Sequence, residues 1–215
     1  MSFDEFEKEY LAIRAKEGRI YDDDVVRRLP FIEDKEWKIR ARSAQRLLKQ
    51  LKKEKCTSFV EVGCGNGWLT NYLSDNLKIA GVGIDINKTE LDQATRVFSG
   101  KTTFKYADIF SSNLNSDTFI FASSIQYFPN FEKTIDSLKG TIHIIDTRFY
   151  EDATDARKRS EKYFESMNSG MKPFYFHHEL RELKKYNHEF LYRPNRIRTF
   201  LGDSPFPWIR IRKDS

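Results

Sequence analysis

The sequence predicts an α/β fold in which helices cover both faces of a doubly wound, mostly parallel sheet. Short apolar runs rich in β-branched and aromatic residues alternate with longer runs of helical periodicity. Three glycines, at positions 63, 65 and 67, separate the first apolar run from the helical run that follows it. Asp85 and Asp108 follow the next two apolar runs. This regular alternation over 215 residues predicts a single domain, because it leaves no room for a second core.

Residues 1–55 precede the first predicted strand, and their pattern predicts three helices. The first ends at Gly18, and the second begins near Asp22 and ends before Pro30. The third carries an apolar stripe from Trp37 to Leu51. Its other face is basic and contains Lys35, Lys38, Arg40, Arg42, Arg46, Lys49, Lys52 and Lys53. Such a face is usually solvated, and a nucleic-acid surface is the alternative interpretation.

Residues 61–67 read Glu-Val-Gly-Cys-Gly-Asn-Gly and join a predicted buried strand to a predicted helix. Glycines allow the backbone to approach a ligand closely, and the free N–H groups of a helix N-terminus point into such a turn. A phosphate-binding loop would need a Lys after the last glycine, and none stands there. A dinucleotide motif would need a small residue where Trp68 stands. An ordinary turn with incidental glycines remains the alternative to a ligand site.

The segment 61–67 resembles the first motif of the class I S-adenosylmethionine-dependent methyltransferases, which reads acid-x-Gly-x-Gly-x-Gly. The resemblance extends over residues 59–145 and implies a Rossmann-like sheet with an antiparallel edge strand. It also implies S-adenosylmethionine as cofactor and S-adenosylhomocysteine as product. This cofactor carries an amino acid and a sulfonium instead of a diphosphate, so a close backbone and a nearby acid suit it.

The resemblance also implies which residues contact the cofactor. Glu61 would supply negative charge near the α-amino group, and Asp108 would accept a hydrogen bond from the adenine amino group. The spacing of Asp85 beyond Gly67 predicts a carboxylate that accepts both ribose hydroxyls. A helix N-cap is the alternative role for Asp85, although Asn87 is better placed for it. The predicted contacts are Glu61, Gly63, Cys64, Gly65, Asn66, Gly67, Asp85, Ile86, Asp108, Ile109, Phe110 and Ser123.

The segment 123–129 follows the fourth predicted strand and borders the expected position of the transferred methyl group. It lacks the Asn/Asp-Pro-Pro-aromatic motif of the amino-methylating nucleic-acid branch and looks like small-molecule methyltransferases. Tyr127 could face either the cofactor or the acceptor.

His177 and His178 are candidates for a general base, because imidazole titrates near neutral pH. Packing at a helix start is their alternative role, since no acid is visibly placed to orient them. A His pair without a third ligand does not predict a metal site.

The chain divides into three predicted parts within its one domain. Residues 1–55 would form a helical lid, to which Tyr10, Tyr21 and Trp37 could contribute aromatic rings. Packing in the core is the alternative role of these three residues. Residues 56–150 would form the cofactor-binding core. Residues 151–215 would complete the sheet and form the substrate pocket. This last part is expected to contain a helix over 153–167, a helix through Leu180, Leu183 and Tyr186, and two antiparallel strands over 187–193 and 206–211.

The predicted function is transfer of a methyl group from S-adenosylmethionine to an oxygen or nitrogen of a small molecule by in-line displacement. The sulfonium is an activated leaving group, so alignment can supply most of the acceleration. An RNA methyltransferase that uses the basic 35–55 helix and a non-catalytic cofactor-binding module are the alternatives. A net charge of +5 argues only weakly for a nucleic-acid partner. Two cysteines, no secretory signal and no apolar run near 20 residues predict a cytoplasmic protein without a membrane span.

Overall fold

The strands form one sheet in the computed structural model, which describes residues 2–100, 102–112 and 114–213. Within these residues the strands are β1 (Phe59–Val62), β2 (Gly81–Asp85), β3 (Thr103–Tyr106), β4 (Thr118–Ala122), β5 (Thr141–Ile145), β6 (Asn187–Tyr192) and β7 (Trp208–Arg212). Their order across the sheet is β3-β2-β1-β4-β5-β7-β6. Strands β1 to β5 are parallel, whereas β7 pairs antiparallel with both β5 and β6.

This topology confirms the predicted Rossmann-like sheet with its antiparallel component. The antiparallel strand β7 lies one place in from the edge, and β6 occupies the edge itself. The strand order reverses at β1, which lies between β2 and β4. Chain segments leave β1 and β4 in opposite directions at such a reversal, so a cleft opens at the carboxyl ends of these two strands.

Eight α-helices surround the sheet in the described part of the chain. They are α1 (Phe3–Lys16), α2 (Asp23–Arg28), α3 (Lys35–Lys53), α4 (Trp68–Leu77), α5 (Lys88–Val97), α6 (Phe131–Asp136), α7 (Thr154–Ser166) and α8 (Arg196–Phe200). Three 3-10 segments span Ile125–Tyr127, Lys172–Phe174 and Leu180–Lys185. The three N-terminal helices begin at side-chain caps, namely Ser2, Asp22 and Asp34. Acceptors at these positions satisfy N–H groups that a helix start leaves free.

Alternating side chains of the strands supply two cores, one on each face of the sheet. On one face, Phe59 and Ile120 pack with the apolar stripe of α3 and with Leu69 and Leu73 of α4. On the other face, strand residues pack with α6 and with the 3-10 segment Leu180–Lys185. The period of two along each strand directs neighbouring residues to opposite faces. Helices therefore cover both faces of the sheet, as predicted.

The C-terminal part differs from the sequence prediction at two points. The helix predicted through Leu180, Leu183 and Tyr186 is a 3-10 helix over Leu180–Lys185 and ends before Tyr186. Phe206 lies outside β7, which begins at Trp208. Pro205 and Pro207 explain the second difference, because neither has an N–H group to donate to a neighbouring strand. The predicted helix over 153–167 is present as α7.

Candidate active site

The glycine turn after β1 approaches two neighbouring elements too closely for any larger residue. Gly63 and Gly67 have φ angles of 71° and 75°, in the left-handed region. A Cβ on Gly63 would lie 2.6 Å from the Cβ of Ser124, after β4. A Cβ on Gly67 would lie 2.4 Å from the ring of Phe104, on β3. The turn is therefore pressed against the carboxyl ends of neighbouring strands, and its backbone lies at the base of the cleft.

A cavity of about 360 Å³ opens above this turn. All but one of the predicted cofactor contacts line it: Glu61, Gly63, Cys64, Gly65, Asn66, Asp85, Ile86, Asp108, Ile109, Phe110 and Ser123. The exception is Gly67, which lies close to Phe104 and Ala94 and is the N-cap of α4. Gly67 was predicted to contact the cofactor, but its position gives it a packing role.

Asp85 fixes the glycine turn to the end of β2. Its Oδ2 accepts a hydrogen bond from the N–H of Gly65 at 2.8 Å. Its Oδ1 accepts from the N–H groups of Ile86 and Asn87 at 2.7 and 2.9 Å. The N-cap of α5 is Asn87, whose Oδ1 accepts from the N–H of Glu90 at 3.0 Å. Asp85 therefore lines the cavity, and the cap of α5 is Asn87.

Glu61 and Glu90 add two further carboxyl groups to the same cavity. Glu61 is 2% exposed and accepts a hydrogen bond from the Thr70 hydroxyl. Burial and the charge of Asp85 raise the pKa of Glu61 to about 8, against the effect of the Thr70 hydrogen bond. Burial, with the same Asp85 charge, also raises the pKa of Glu90 to about 8. Three neighbouring acids thus form a region that favours a cationic ligand.

The N-terminal helices close the other side of the cavity with aromatic and charged groups. Tyr10 of α1 and Trp37 of α3 line it, and the Trp37 indole N–H donates to the Tyr21 hydroxyl at 3.0 Å. The Arg14 guanidinium lies 4.9 Å from the centre of the Tyr10 ring. Arg14 also lines the cavity and donates to Glu17 at 3.0 Å. These groups enclose the cleft on the side away from the sheet.

The end of β4 forms the wall between this cavity and a second one. Ser123 has a φ of 54°, and its hydroxyl donates to the carbonyl of Asp146 at 3.1 Å. The amide of Gln126 is engaged with the chain, because its Nε2 donates to the Ser123 carbonyl at 2.6 Å and its Oε1 accepts from Thr147 at 2.9 Å. Tyr127 lines both cavities. Of the polar residues in this 3-10 segment and just before it, Ser123 and Tyr127 are therefore the ones that line both cavities.

The second cavity has a volume of about 940 Å³. It shares with the first cavity Arg14, Arg19, Glu36, Arg40, Ser123, Tyr127 and Phe176. Asp146, which follows β5, lines only the second. Its Oδ1 accepts from the Ser43 hydroxyl at 2.7 Å, while Oδ2 has no hydrogen bond to any residue that the structure describes. Burial raises the pKa of Asp146 against the nearby charge of Arg40.

The two candidate histidines occupy different environments. His177 lines the second cavity, and burial together with the charge of Arg157 lowers its pKa. His178 is buried beside the rings of Phe131 and Phe149, and its Nε2 lies 3.0 Å from the Ile125 carbonyl. Its Nδ1 lies 3.6 Å from the Glu182 carboxylate, so an orienting acid exists four residues later in the chain. His178 lines neither of the two cavities described above.

Several residues of the site were missed by sequence reasoning. Arg40 was assigned to the basic outer face of its helix, yet it lines the cavity and donates to Glu36 and Ser123. Arg14 and Glu90 belong to no sequence motif that would have identified them. Asp146 offered a signal that was passed over, because it ends a parallel strand as Asp85 does.

The described residues, which omit positions 1, 101, 113, 214 and 215, contain no group of three or more His, Cys, Asp or Glu residues placed to hold a metal ion. Over the same residues, the helices are each too short or too polar to cross a bilayer.

The sheet order, the glycine turn and the acids after β2 and β3 together define the class I S-adenosylmethionine-dependent methyltransferase fold. Comparison with known proteins agrees, because residues 59–142 match the family described as a methyltransferase domain. The match covers less than half of the chain, so together with the topology it supports the fold of this class, whose cofactor is S-adenosylmethionine. No curated protein matches the sequence at a significant level.

Solved structures share the fold at low sequence identity. The methyltransferase SibL, solved without ligand, matches with a TM-score of 0.57 and 14% identity, over 80% of this chain and 55% of SibL. YcgJ from Bacillus subtilis matches with a TM-score of 0.61 and 12% identity, over 81% of this chain and 100% of YcgJ. Magnesium protoporphyrin IX methyltransferase from Synechocystis PCC 6803, solved with S-adenosylhomocysteine, matches with a TM-score of 0.58 and 13% identity, over 85% of this chain and 88% of that one. The chain thus spans little more than half of SibL but most or all of the other two.

The residues of the first cavity fit this cofactor. Glycine 63 leaves room where a side chain would collide with Ser124. The acids Glu61, Asp85 and Glu90 suit a ligand with a sulfonium and an ammonium group. The buried Nδ2 of Asn87, which also lines the cavity, has no hydrogen-bond partner within the described chain. A buried donor without a partner is costly, so this amide is available to a bound group.

Proposed function

We propose that this protein transfers a methyl group from S-adenosylmethionine to an oxygen or nitrogen of a small molecule bound in the second cavity. The observation that carries the proposal is the shared wall of the two cavities at the end of β4. A cofactor in the first cavity and an acceptor in the second would meet at Ser123 and Tyr127. Because these two residues line both cavities, the cavities adjoin, and an acceptor in the second could be aligned with a methyl group in the first.

The assignments within the first cavity follow from its chemistry. Asp85, already held by three backbone N–H groups, would accept the ribose hydroxyls with its remaining lone pairs. Glu61 and Glu90 would face the cationic groups of the cofactor. Asp108, with Ile109 and Phe110, would bind the adenine, since the aromatic and aliphatic side chains lie in the same cavity as the carboxylate. Residues 1–55 would act as the lid, which the positions of Tyr10 and Trp37 support.

The bound cofactor supplies an activated methyl group with a neutral thioether as leaving group. The protein's part is to align the acceptor and to exclude water, for which the aromatic residues of α1 and α3 are suited. We assign the removal of the acceptor proton to Asp146, whose Oδ2 has no other partner among the described residues. Burial raises the pKa of this carboxylate and makes it a stronger base than an exposed one. His177, in the same cavity, is the second candidate.

Four of the eight cations on the basic face of α3, namely Lys38, Arg40, Arg42 and Arg46, are engaged within the chain, which favours a small acceptor over RNA. Arg42 donates to the carbonyl of Gly202. Arg46 pairs with Asp203 at 2.6 Å and lies over the Tyr192 ring. Cations that are engaged within the chain contribute little to phosphate binding, because their counterions are already in place.

Two measurements test the proposal. A screen of small hydroxyl and amine compounds with isotope-labelled S-adenosylmethionine should find an acceptor that becomes labelled. With that acceptor, Asp146→Asn should lower kcat by about 100-fold or more and leave the affinity for S-adenosylhomocysteine unchanged. His177→Gln is the matched variant and should change kcat by less than about 5-fold. An unchanged kcat in Asp146→Asn would refute its role as base, and labelling of RNA alone would refute the small-molecule acceptor.

A further inference from the structure

The wall of the second cavity contains more cations than its acids can neutralise. Six of its side chains are Lys or Arg, and four are Asp or Glu. The four acids are each engaged within the chain: Glu17 with Arg14, Glu36 with Arg40, Asp34 with the N–H of Trp37, and Asp146 with Ser43. The excess positive charge is therefore not cancelled inside the cavity.

Three lining cations make no ion pair with any residue that the structure describes. These are Lys35 at the start of α3, Arg148 after β5 and Arg159 on α7. Each is exposed, whereas the paired arginines Arg14 and Arg40 are partly buried. The unpaired cations come from three separate elements and converge on one cavity, which is the arrangement expected around an anionic group.

The same cavity has an aromatic lining. The His177 ring lies 5.6 Å from that of Tyr150 and 5.2 Å from that of Tyr175, measured between centres. Tyr127 and Phe206 also line the cavity. Aromatic walls bind planar apolar groups, and arginines bind carboxylates and phosphates through paired N–H groups.

We propose that the methyl acceptor is a small aromatic molecule with a carboxylate or phosphate group, and that Arg148 and Arg159 bind this anionic group. The substituent would lie at the exposed side of the cavity, away from the wall shared with the first cavity, while the nucleophile faces Ser123 and Asp146. Lys35 would add charge at the opening. This inference rests on the proposed function, because it takes the second cavity to be the acceptor site.

Binding of simple probes tests the inference without knowledge of the true acceptor. The protein loaded with S-adenosylhomocysteine is titrated with 4-hydroxybenzoate, with its neutral methyl ester and with phenyl phosphate, followed by NMR. At least one anionic probe should bind about 10-fold more tightly than the ester, because only the anions form charge-assisted hydrogen bonds. Comparing the carboxylate with the phosphate identifies which anion the site prefers.

Two double variants show where the preference arises. In R148Q/R159Q the anionic probes should bind no more tightly than the ester. The matched control is K158Q/K162Q, which removes two exposed cations of the same helix α7 that line neither cavity; it should keep the preference. Equal affinity for acids and ester in the unaltered protein, or an equal loss in both double variants, would overturn the inference.

Failure of the inference can be separated from failure of the proposed function. S-adenosylhomocysteine is titrated alone into every variant, and unchanged affinity shows that the first cavity is intact. Intact cofactor binding without an anion preference overturns only the inference. Loss of cofactor binding in the unaltered protein overturns the proposed function and the inference with it. A single-stranded RNA that binds more tightly than the probes, and depends on the same arginines, would overturn the small-molecule assignment.

Discussion

Replacement of Glu90 by Gln should make the cofactor-free protein more stable, and the gain should grow with pH. The side chain is buried close enough to Asp85 and Glu7 for their charges to repel its own, so its negative charge is unfavourable in the folded protein. Burial, with the charge of Asp85, raises its pKa from 4.5 to about 8. Between these values the folded protein binds more protons at this site than the unfolded chain. The free energy of unfolding therefore falls as pH rises through this window.

The size of the effect follows from the same pKa values. One pKa unit corresponds to about 1.4 kcal/mol, so a fully shielded carboxyl group would cost roughly 4–5 kcal/mol at pH 8. Glu90 retains partial exposure, and the nearby Arg14 offsets part of the repulsion. We therefore expect a gain of about 2 kcal/mol for Glu90→Gln at pH 8 and close to none at pH 4.5.

Urea unfolding of both proteins at pH 5, 6, 7 and 8 measures this difference. Glu165→Gln is the control, because Glu165 is an exposed acid with no side-chain partner among the described residues. It should leave the pH dependence unchanged. A second measurement compares the affinities for two ligands that differ in charge at sulfur. Glu90→Gln should weaken binding of S-adenosylmethionine more than that of the neutral thioether S-adenosylhomocysteine. A stability gain of the same size at pH 5 and pH 8 would refute the electrostatic reasoning.

The remaining predictions concern the cofactor carboxylate and the glycine turn. Asp85→Asn should weaken S-adenosylhomocysteine binding by about 10- to 100-fold in calorimetry, since an amide lacks the charge that strengthens the ribose hydrogen bonds; unchanged affinity would contradict the assignment. Gly67→Ala should lower the free energy of unfolding by about 2–4 kcal/mol, because its Cβ would lie 2.4 Å from Phe104 and 2.9 Å from Ala94. Gly18→Ala has a similar φ of 68° with no atom within 4 Å, and should cost only about 1 kcal/mol; equal losses in denaturant would show that crowding plays no part at Gly67.

The fold was predictable because local signals and sheet topology agree. The spacing of apolar residues predicted each strand from β1 to β5, and the glycines and acids between them fixed the order of the elements. Asn87 shows that the local pattern also predicted a helix cap. Asn87 caps α5 as its position predicted, whereas the hydrogen bond that Asp85 accepts from the N–H of Gly65 had no sequence signal.

The less regular C-terminal part was harder to predict for physical reasons. The residues after His178 have apolar spacing that an α-helix and a 3-10 helix satisfy almost equally over six residues. Glu182 lies four residues after His178, but its position near the imidazole depends on the local 3-10 geometry. Neither the 3-10 geometry of this segment nor the position of Glu182 near His178 has a distinct signal in the sequence.

The substrate side of the site was the least predictable because it is assembled from distant segments. Arg14, Arg40 and Asp146 meet only after α1, α3 and the end of β5 have packed together. A pattern within one segment cannot show that distant residues meet. Arg40 was therefore grouped with a solvated face, because its neighbours Lys38 and Arg42 are exposed. The cofactor side differs because one continuous turn, followed by strand ends in a fixed order, builds it. With the acceptor in the second cavity, as proposed, its recognition would depend on contacts of high sequence separation, and we expect substitutions in α1, α3 and α7 to change the acceptor before they change the cofactor.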